Sequence, residues 1–180
     1  KGDAMKVICI SGKAGHGKDT AALFLKEQLV LSENSVLIAH FGDLVKYVCK
    51  TFFDWNGKKD EAGRELLQTI GTDIVRDEDP DYWVRFIADM LGFFEQAYDY
   101  VLIPDARFIN EIEYLIKSGF DVTHIRVIRE NHISDMPADQ QNHISETALD
   151  DYVPDVYVYN SGYLGEFYEN LLIVMDELKL

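Results

Sequence analysis

Several things are scarce in this sequence. Its 180 residues hold two cysteines, four prolines and 17 Lys or Arg against 32 Asp or Glu. Two cysteines, Cys9 in an apolar run and Cys49 in a helix-like stretch, are too few for a disulfide framework. They predict reduced, buried thiols in a cytoplasmic protein. No apolar run approaches the length of a membrane-spanning helix, and no basic segment leads into an apolar stretch of the export type. A formal charge of −15 argues against a nucleic-acid or anionic-membrane surface. The histidines lack cysteine or close acidic partners at zinc spacing, and G-x-S-x-G is absent, so structural zinc and acyl transfer have no support. The near-duplicates NHISD (131–135) and NHISE (142–146) read as coincidence rather than a repeat. Positive charge is the scarcest resource of all. The arginines are Arg64, Arg76, Arg85, Arg107, Arg126 and Arg129, and a polyanionic ligand must find its charge among these and the few lysines.

What is present is a hydrophobic content of 47%, enough for one domain with a proper core. Lys1 to Ala4, ahead of Met5, read as a cloning remnant, leaving 5–180 as a single domain. The stretch KVICISGKAGHGKDT, Lys6 to Thr20, is the most informative. Val7 to Ile10 is a buried strand by its unbroken apolar run. Gly12, Gly15 and Gly17 allow successive backbone N–H groups to converge on one anion, and the helix that follows aims its positive end at the same point. Lys18 completes the G-x-x-x-x-G-K frame and reaches the outer phosphates of a nucleotide. Asp19 stands where Ser or Thr is usual. A carboxylate about 5 Å from a phosphate charge is repelled by roughly 3 kcal/mol at an effective dielectric near 20. Two readings of Asp19 stay open: a ligand of Mg²⁺, direct or through water, and an anion complementing the helix end. Thr20 is placed for an inner phosphate.

Strands then alternate with helices. Ser35 to Phe41 is predicted as a strand, Gly42 to Phe53 as a helix, and Glu61 to Arg76 as a helix with Leu66, Leu67, Ile70 and Ile74 inward. The next helix, over 79–97, is expected to be capped by Asp79 or Asp81 with Pro80 near its first turn. DYVLIPD is a strand ending in Asp105, RFINEIEYLIKSG a helix stopped by Gly119, and DVTHIRVIR a strand. Residues 130–145 are polar and aperiodic. PDVYVYN is a last strand, followed by a helix with Leu164, Phe167, Tyr168, Leu171, Met175 and Leu178 along one stripe. The order predicts a three-layer α/β fold, a parallel sheet of about five strands with helices on both faces.

Outside the loop, Asp105 at a strand's C-terminal end suits a magnesium-bound water or the orienting of an attacking group, and equally a helix N-cap. Arg107 lies on the same edge. Arg64, Gln68, Thr72 and Arg76 follow one another at four-residue steps on a slowly drifting polar face, suited to a phosphate and a base edge. The alternative is a solvated face on which Arg64 pairs with Glu61 or Glu65. Arg126 and Arg129 face opposite ways if both lie in the strand, and Arg129, nearer the end, is the better placed to meet a transferring phosphoryl group.

GKAGHGKDT, GRELLQTIGTDIVR with DYW, IPDARFINE, HISETALDD and YNSG resemble the deoxynucleoside monophosphate kinases of phages and bacteria. The resemblance spans Val7 to about Tyr168, and an Asp after the loop lysine is usual in that family. It implies a P-loop kinase of the nucleoside-monophosphate type that uses Mg²⁺ and moves the ATP γ-phosphoryl to a (deoxy)nucleotide's 5′-phosphate. By that likeness Gly12, Lys13, Ala14, Gly15, His16, Gly17, Lys18, Asp19 and Thr20 hold ATP, with Asn160 at the adenine edge. Arg64, Gln68, Thr72, Arg76, Trp83, Asp105 and Arg107 line the acceptor side, joined by His143 and Glu146 from the HISE motif. Lys18, Asp105, Arg107 and Arg129 are the implied catalytic set, and Asp19 and Asp105 the implied metal set, Asp105 through water. Asn110 and Glu111 fall in the motif, Glu111 being equally readable as helix-surface charge. Helices over about 42–97 form the acceptor side and about 130–145 a lid. That lid departs from nucleotide kinases generally, for 130–142 contains no Lys or Arg. The expected partners are ATP and a nucleoside monophosphate, with no nucleic acid and no membrane, in a monomer or homodimer. Two rivals stand beside this reading: a kinase of the same fold acting on dephospho-coenzyme A or phosphomevalonate, and a nucleotide-binding regulatory module without turnover.

Overall fold

The computed structural model describes residues 4–134 and 136–180. Lys1, Gly2 and Asp3 of the expected remnant, and Asp135 of the lid and of the NHISD near-duplicate, lie outside the described residues. Five parallel strands, β1 (Lys6–Ser11), β2 (Val36–Ile38), β3 (Tyr100–Ile103), β4 (Asp121–Ile128) and β5 (Val156–Tyr159), form one sheet in the order β2-β3-β1-β4-β5. The central strand β1 is apolar on both sides because both of its faces are covered. Ile8 and Ile10 pack with α1 (Lys18–Leu31) and α9 (Leu164–Leu178), while Val7 and Cys9 pack with α5 (Tyr82–Phe94) and α6 (Ile109–Lys117). Cys9 and Cys49 are buried free thiols. On α9 the inward residues are Phe167, Leu171, Val174 and Met175, whereas Leu164, expected in the stripe, is exposed.

Three expectations need correction. The strand forecast over 35–41 is hydrogen-bonded as a strand only over Val36–Ile38. Beyond it the N–H groups of Phe41 and Gly42 turn to the Asp105 carboxylate (2.9 and 3.0 Å), which draws the chain out of the ladder. The helix expected over 61–76 is α3 (Glu61–Gln68), a π-helical turn (Thr69–Ile74) and α4 (Val75–Glu78). Asp81 stands at the N-cap of α5, but its side chain makes no capping bond and neither does that of Asp79. The Asp79 side chain accepts from the N–H of Asp81 and from Arg85, and Asp81 accepts from Asn110 Nδ2. Pro80 lies two residues ahead of Tyr82, near the first turn as expected. The remaining helices are α2 (Asp43–Phe52) and, in the polar segment after β4, the single turns α7 (Ala138–Gln141) and α8 (Ile144–Thr147).

Since β1 and β3 are neighbours, with Cys9 opposite Ile103, the glycine loop after β1 and Asp105 after β3 emerge side by side. This is the edge at which an open α/β sheet presents its ligands.

Candidate active site

The loop from Gly12 to Gly17 is shaped from beneath. Gly12 has φ +145 and a Cβ there would strike the Val127 carbonyl, so only glycine lets the loop lie against β4. The Asn160 amide donates to His16 O (2.9 Å) and its oxygen accepts from Gly162 N (2.9 Å), tying the loop to the end of β5. Arg129 lies just beyond β4, its guanidinium donating to Gly15 O (3.4 Å) and its N–H meeting His16 Nδ1 (3.2 Å). His132 packs directly on Gly15. Burial keeps His16 below the ordinary histidine range.

Lys18 opens α1 and its ammonium folds back onto the loop, donating to Gly12 O (2.7 Å) and Lys13 O (3.0 Å). Burial first, and then the neighbouring Arg107 guanidinium, lower its pKa to about 8. The Lys13 side chain leaves the loop for Asp150 and for Glu146 O (2.7 Å). Asp19, in the first turn, is 81% exposed, with His40 at 4.0 Å. Thr20 sits partly buried beside it.

Lys18 and Asp19 form one wall of a cavity of about 350 Å³, and Arg64, Gln68, Thr72 and Arg76 form another. Four-residue steps on an α-helix drift by about 40° each, which would put Arg76 about 120° away from Arg64. The π turn, with roughly 4.4 residues per turn for its i→i+5 ladder, cancels most of that drift over its six residues. All four side chains therefore share the cavity. The turn is pinned on both sides, since Gly71 O accepts from Trp83 Nε1 (2.8 Å) and Asp73 meets His143 Nε2 (3.1 Å).

These arginines are not equivalent. Arg64 has no ion pair among the described residues, so the alternative of pairing with Glu61 or Glu65 is not what is observed. Arg76 is paired with Glu111 and lies 4.0 Å over the Phe108 ring. Glu111 is not surface charge; it is 2% exposed and also accepts from the N–H of Arg107 (2.6 Å) and Phe108 (3.0 Å). Burial pushes its pKa up, against the pull of Arg76. Arg107 also lines the cavity and is paired with Glu146, donating as well to Ser145 O (3.0 Å). Burial works against its charge, but the carboxylates around it, Glu146 foremost, hold its pKa above the ordinary arginine value.

Other expected residues also make contacts of their own. Asp105 does not cap α6, which starts four residues later; both of its oxygens bind the Phe41–Gly42 turn while it lines the cavity. Trp83 is 2% exposed, a core residue whose edge reaches the cavity. His143 stands away from the cavity wall, capping α8 and binding Asp73. Arg126 is turned to the carbonyls of Leu149 and Asp150. His40, Lys46, Lys59 and Met136 also line the cavity and are not picked out by sequence reasoning. His40 was findable from its place just past β2, at the ligand-binding edge; Lys59 and Met136 lie in loops and carry no signal.

Among the described residues no three His, Cys, Asp or Glu side chains are grouped as a metal cage, and no helix is long and apolar enough to cross a membrane. Catalytic Mg²⁺ in kinases needs only one or two carboxylates beside substrate phosphates and water, and the exposed Asp19 fits that demand.

The family model described as deoxynucleotide monophosphate kinase matches residues 43–171. The protein of that name from Enterobacteria phage T4 is 34% identical over 110 residues, 60% of this chain and 43% of its own. That from Escherichia phage RB69 is 31% identical over 110 residues, 60% of this chain and 42% of its own. These matches thus span less than half the length of the phage relatives. A putative deoxynucleotide monophosphate kinase of Acanthamoeba polyphaga mimivirus is 26% identical with 96% of this chain and 97% of its own covered. Among solved structures, the Mycobacterium tuberculosis APS kinase CysC in complex with AMPPNP and APS gives a TM-score of 0.58 at 13% identity, with 99% and 100% of the two chains covered. Dephospho-CoA kinase from Campylobacter jejuni gives 0.55 at 12%, covering 97% and 98%. These likenesses show the three-layer P-loop kinase fold. The family match runs from the start of α2 to the middle of α9, taking in the arginine face, the Asp105–Glu111 turn and the segment after β4, and on that extent the chain belongs to the deoxynucleotide monophosphate kinase family.

Proposed function

We propose that this chain transfers the γ-phosphoryl group of ATP to the 5′-phosphate of a (deoxy)nucleoside monophosphate, giving the diphosphate. The observation that carries the reading is one cavity lined by cations of separate origin, Lys18 from the glycine loop, Arg107 from the turn after β3 and Arg64 from α3. Lys18, at the end of the glycine loop, feels the charge of Arg107 strongly enough to help depress its pKa, and both border a cavity whose far wall is Arg64, Gln68 and Thr72. A gap with cations on both sides, beside a loop for one phosphate chain and an arginine face for another, suits in-line phosphoryl transfer. A regulatory module without turnover has no need of the second anion site.

In this reading residues 5–180 act as one kinase domain, with α2 to α5 as the acceptor side and 130–145 as the lid. The loop amides of Gly12 to Lys18 cradle the donor phosphates, Lys18 and Arg107 face the transferring group, and Arg64 holds the acceptor phosphate with its bidentate fork. Gln68 and Thr72 offer hydrogen bonds to the nucleoside. Arg129 and Asn160 hold the loop and border the donor, and Asp105 fixes the Phe41–Gly42 turn beside the acceptor. Asp19, with Asp105 through water, would hold Mg²⁺, which neutralises phosphate charge when bound. The setting is cytoplasmic, where both nucleotides are found.

The test is ADP release measured over all ribo- and deoxynucleoside monophosphates, with dephospho-coenzyme A and phosphomevalonate as competitors of the reading. Turnover confined to one or more nucleotides, lost by orders of magnitude in a folded Lys18→Ala protein, is expected. Turnover only with a non-nucleotide acceptor, or undiminished in Lys18→Ala, would sink it.

A further inference from the structure

The segment after β4 raises a chemical question. A kinase lid usually brings positive charge to the transferred phosphoryl group, yet 130–142 has neither Lys nor Arg. What this segment brings to the cavity is a carboxylate. Glu146, on α8, is 6% exposed in its side chain and is paired with Arg107. Arg107 belongs to the turn after β3, and its backbone N–H is fixed by Glu111 from α6 (2.6 Å). Its base is thus held by the core and its tip by α8, through the Glu146 carboxylate and Ser145 O (3.0 Å). Glu146 also belongs to the P-loop side, for its carbonyl accepts from Lys13 Nζ (2.7 Å) and its charge acts on Lys18. The segment meets the arginine face at three further points: Gln140 Nε2 donates to Glu61 O (3.2 Å), Gln140 O accepts from Gln68 Nε2 (3.5 Å), and His143 meets Asp73 (3.1 Å).

Resting on the kinase reading, we infer that Glu146 is a positioning residue through which the lid supplies positive charge indirectly, by drawing Arg107 into the gap beside Lys18. The lid needs no cation of its own, because Glu146 at its end holds one that belongs to the sheet edge. A carboxylate suits this task better than an amide, since it holds a guanidinium by charge-assisted bonds and by orientation while leaving the other N–H donors of the fork for phosphate oxygens. An acceptor-contacting role for Glu146 is the weaker alternative, as a carboxylate facing the acceptor phosphate would repel it.

The experiment compares wild type, Glu146→Gln, Arg107→Lys and the double variant in steady-state kinetics, each substrate varied in turn. Glu146→Gln is expected to lower kcat about tenfold or more while KM for ATP stays within about twofold. Because Glu146 acts through Arg107, adding Glu146→Gln to Arg107→Lys should cost less than about twofold further. Penalties that multiply in the double variant, or an unchanged kcat in Glu146→Gln, would overturn the inference. A second readout needs no turnover: amide hydrogen exchange over 138–147 should quicken in Arg107→Lys, and unchanged protection there would also overturn it. A wild-type protein that transfers no phosphoryl group at all would instead refute the kinase reading, while the exchange measurement still decides whether Arg107 holds the lid.

Discussion

The Lys18 ammonium offers a sharp test in the form of a pH profile. Lys18 is a base whose pKa in this fold, about 8, lies below the ordinary 10.5, chiefly through burial and secondly through Arg107. Its two hydrogen bonds, to Gly12 O and Lys13 O, come from its own loop and bring no negative charge. The free enzyme therefore loses the Lys18 charge as pH rises through about 8, whereas a lysine in water keeps it for two pH units more. Since kcat/KM reports the free enzyme, kcat/KM for ATP should be halved near pH 8 and fall about tenfold below its plateau near pH 9. The terminal phosphate of ATP, with an ionisation near pH 6, is fully charged by then and adds no limb of its own. Once ATP is bound, its negative charge favours the ammonium, so the limb in kcat should move to higher pH. Lys18→Arg supplies the control, because a guanidinium does not deprotonate in this range and the alkaline limb should vanish even if activity drops. The assay is coupled ADP release from pH 6.5 to 10 at fixed free Mg²⁺. A wild-type kcat/KM that stays flat to pH 10, or a limb that persists in Lys18→Arg, would refute the reasoning.

Three more outcomes are expected. Arg64→Lys keeps the charge but loses the fork, so kcat/KM for the acceptor should fall about ten- to a hundred-fold, equivalent to about 1.5–3 kcal/mol, while KM for ATP barely moves; an equal penalty on both substrates would remove Arg64 from the acceptor site. Glu111→Ala strands the Arg76 charge, whose side chain is 10% exposed, and two backbone N–H groups. It should cost about 3–5 kcal/mol in urea unfolding, partly recovered by adding Arg76→Met, and a loss below about 1 kcal/mol would contradict the burial argument. Asp19→Asn should raise the Mg²⁺ concentration for half activity and Asp19→Ala should raise it further; wild-type Mg²⁺ curves in both would make Asp19 a helix-end anion only.

The sheet and its helices were legible because apolar runs and glycine stops are local signals: β1, β3 and β4 lie within a residue or two of where their patterns put them. The glycine loop was legible for the same reason. What escaped was set by long-range partners. Nothing local distinguishes an Asp105 that faces a ligand from one that binds the Phe41–Gly42 turn across 64 positions. Lys13 sits in a phosphate-binding motif, and Asp150 and the Glu146 carbonyl, far along the chain, turn its side chain away. Glu111 follows a helix start and reads equally as a motif residue or as surface charge until Arg76 and two N–H groups decide for burial. The four-step arginine face was seen, but its drift was not corrected, because a π turn leaves the apolar spacing of Leu66, Leu67 and Ile70 undisturbed.

That π turn also decides which kinds of sequence change the site tolerates. Substitutions within Thr69–Ile74 leave the residue count between Arg64 and Arg76 intact, and the face survives them to the extent that packing allows. Removing a single residue there would let the segment relax into ordinary α-helix, a locally better hydrogen-bonded state, and would leave Arg76 eleven α-helical steps from Arg64, only about 20° out of line with it. GRELLQTIGTDIVR would lose a letter, while GKAGHGKDT, IPDARFINE and HISE would remain intact. A gene with that three-base deletion would fail inspection by motif and yet encode a protein in which Arg64 and Arg76 still face the same way.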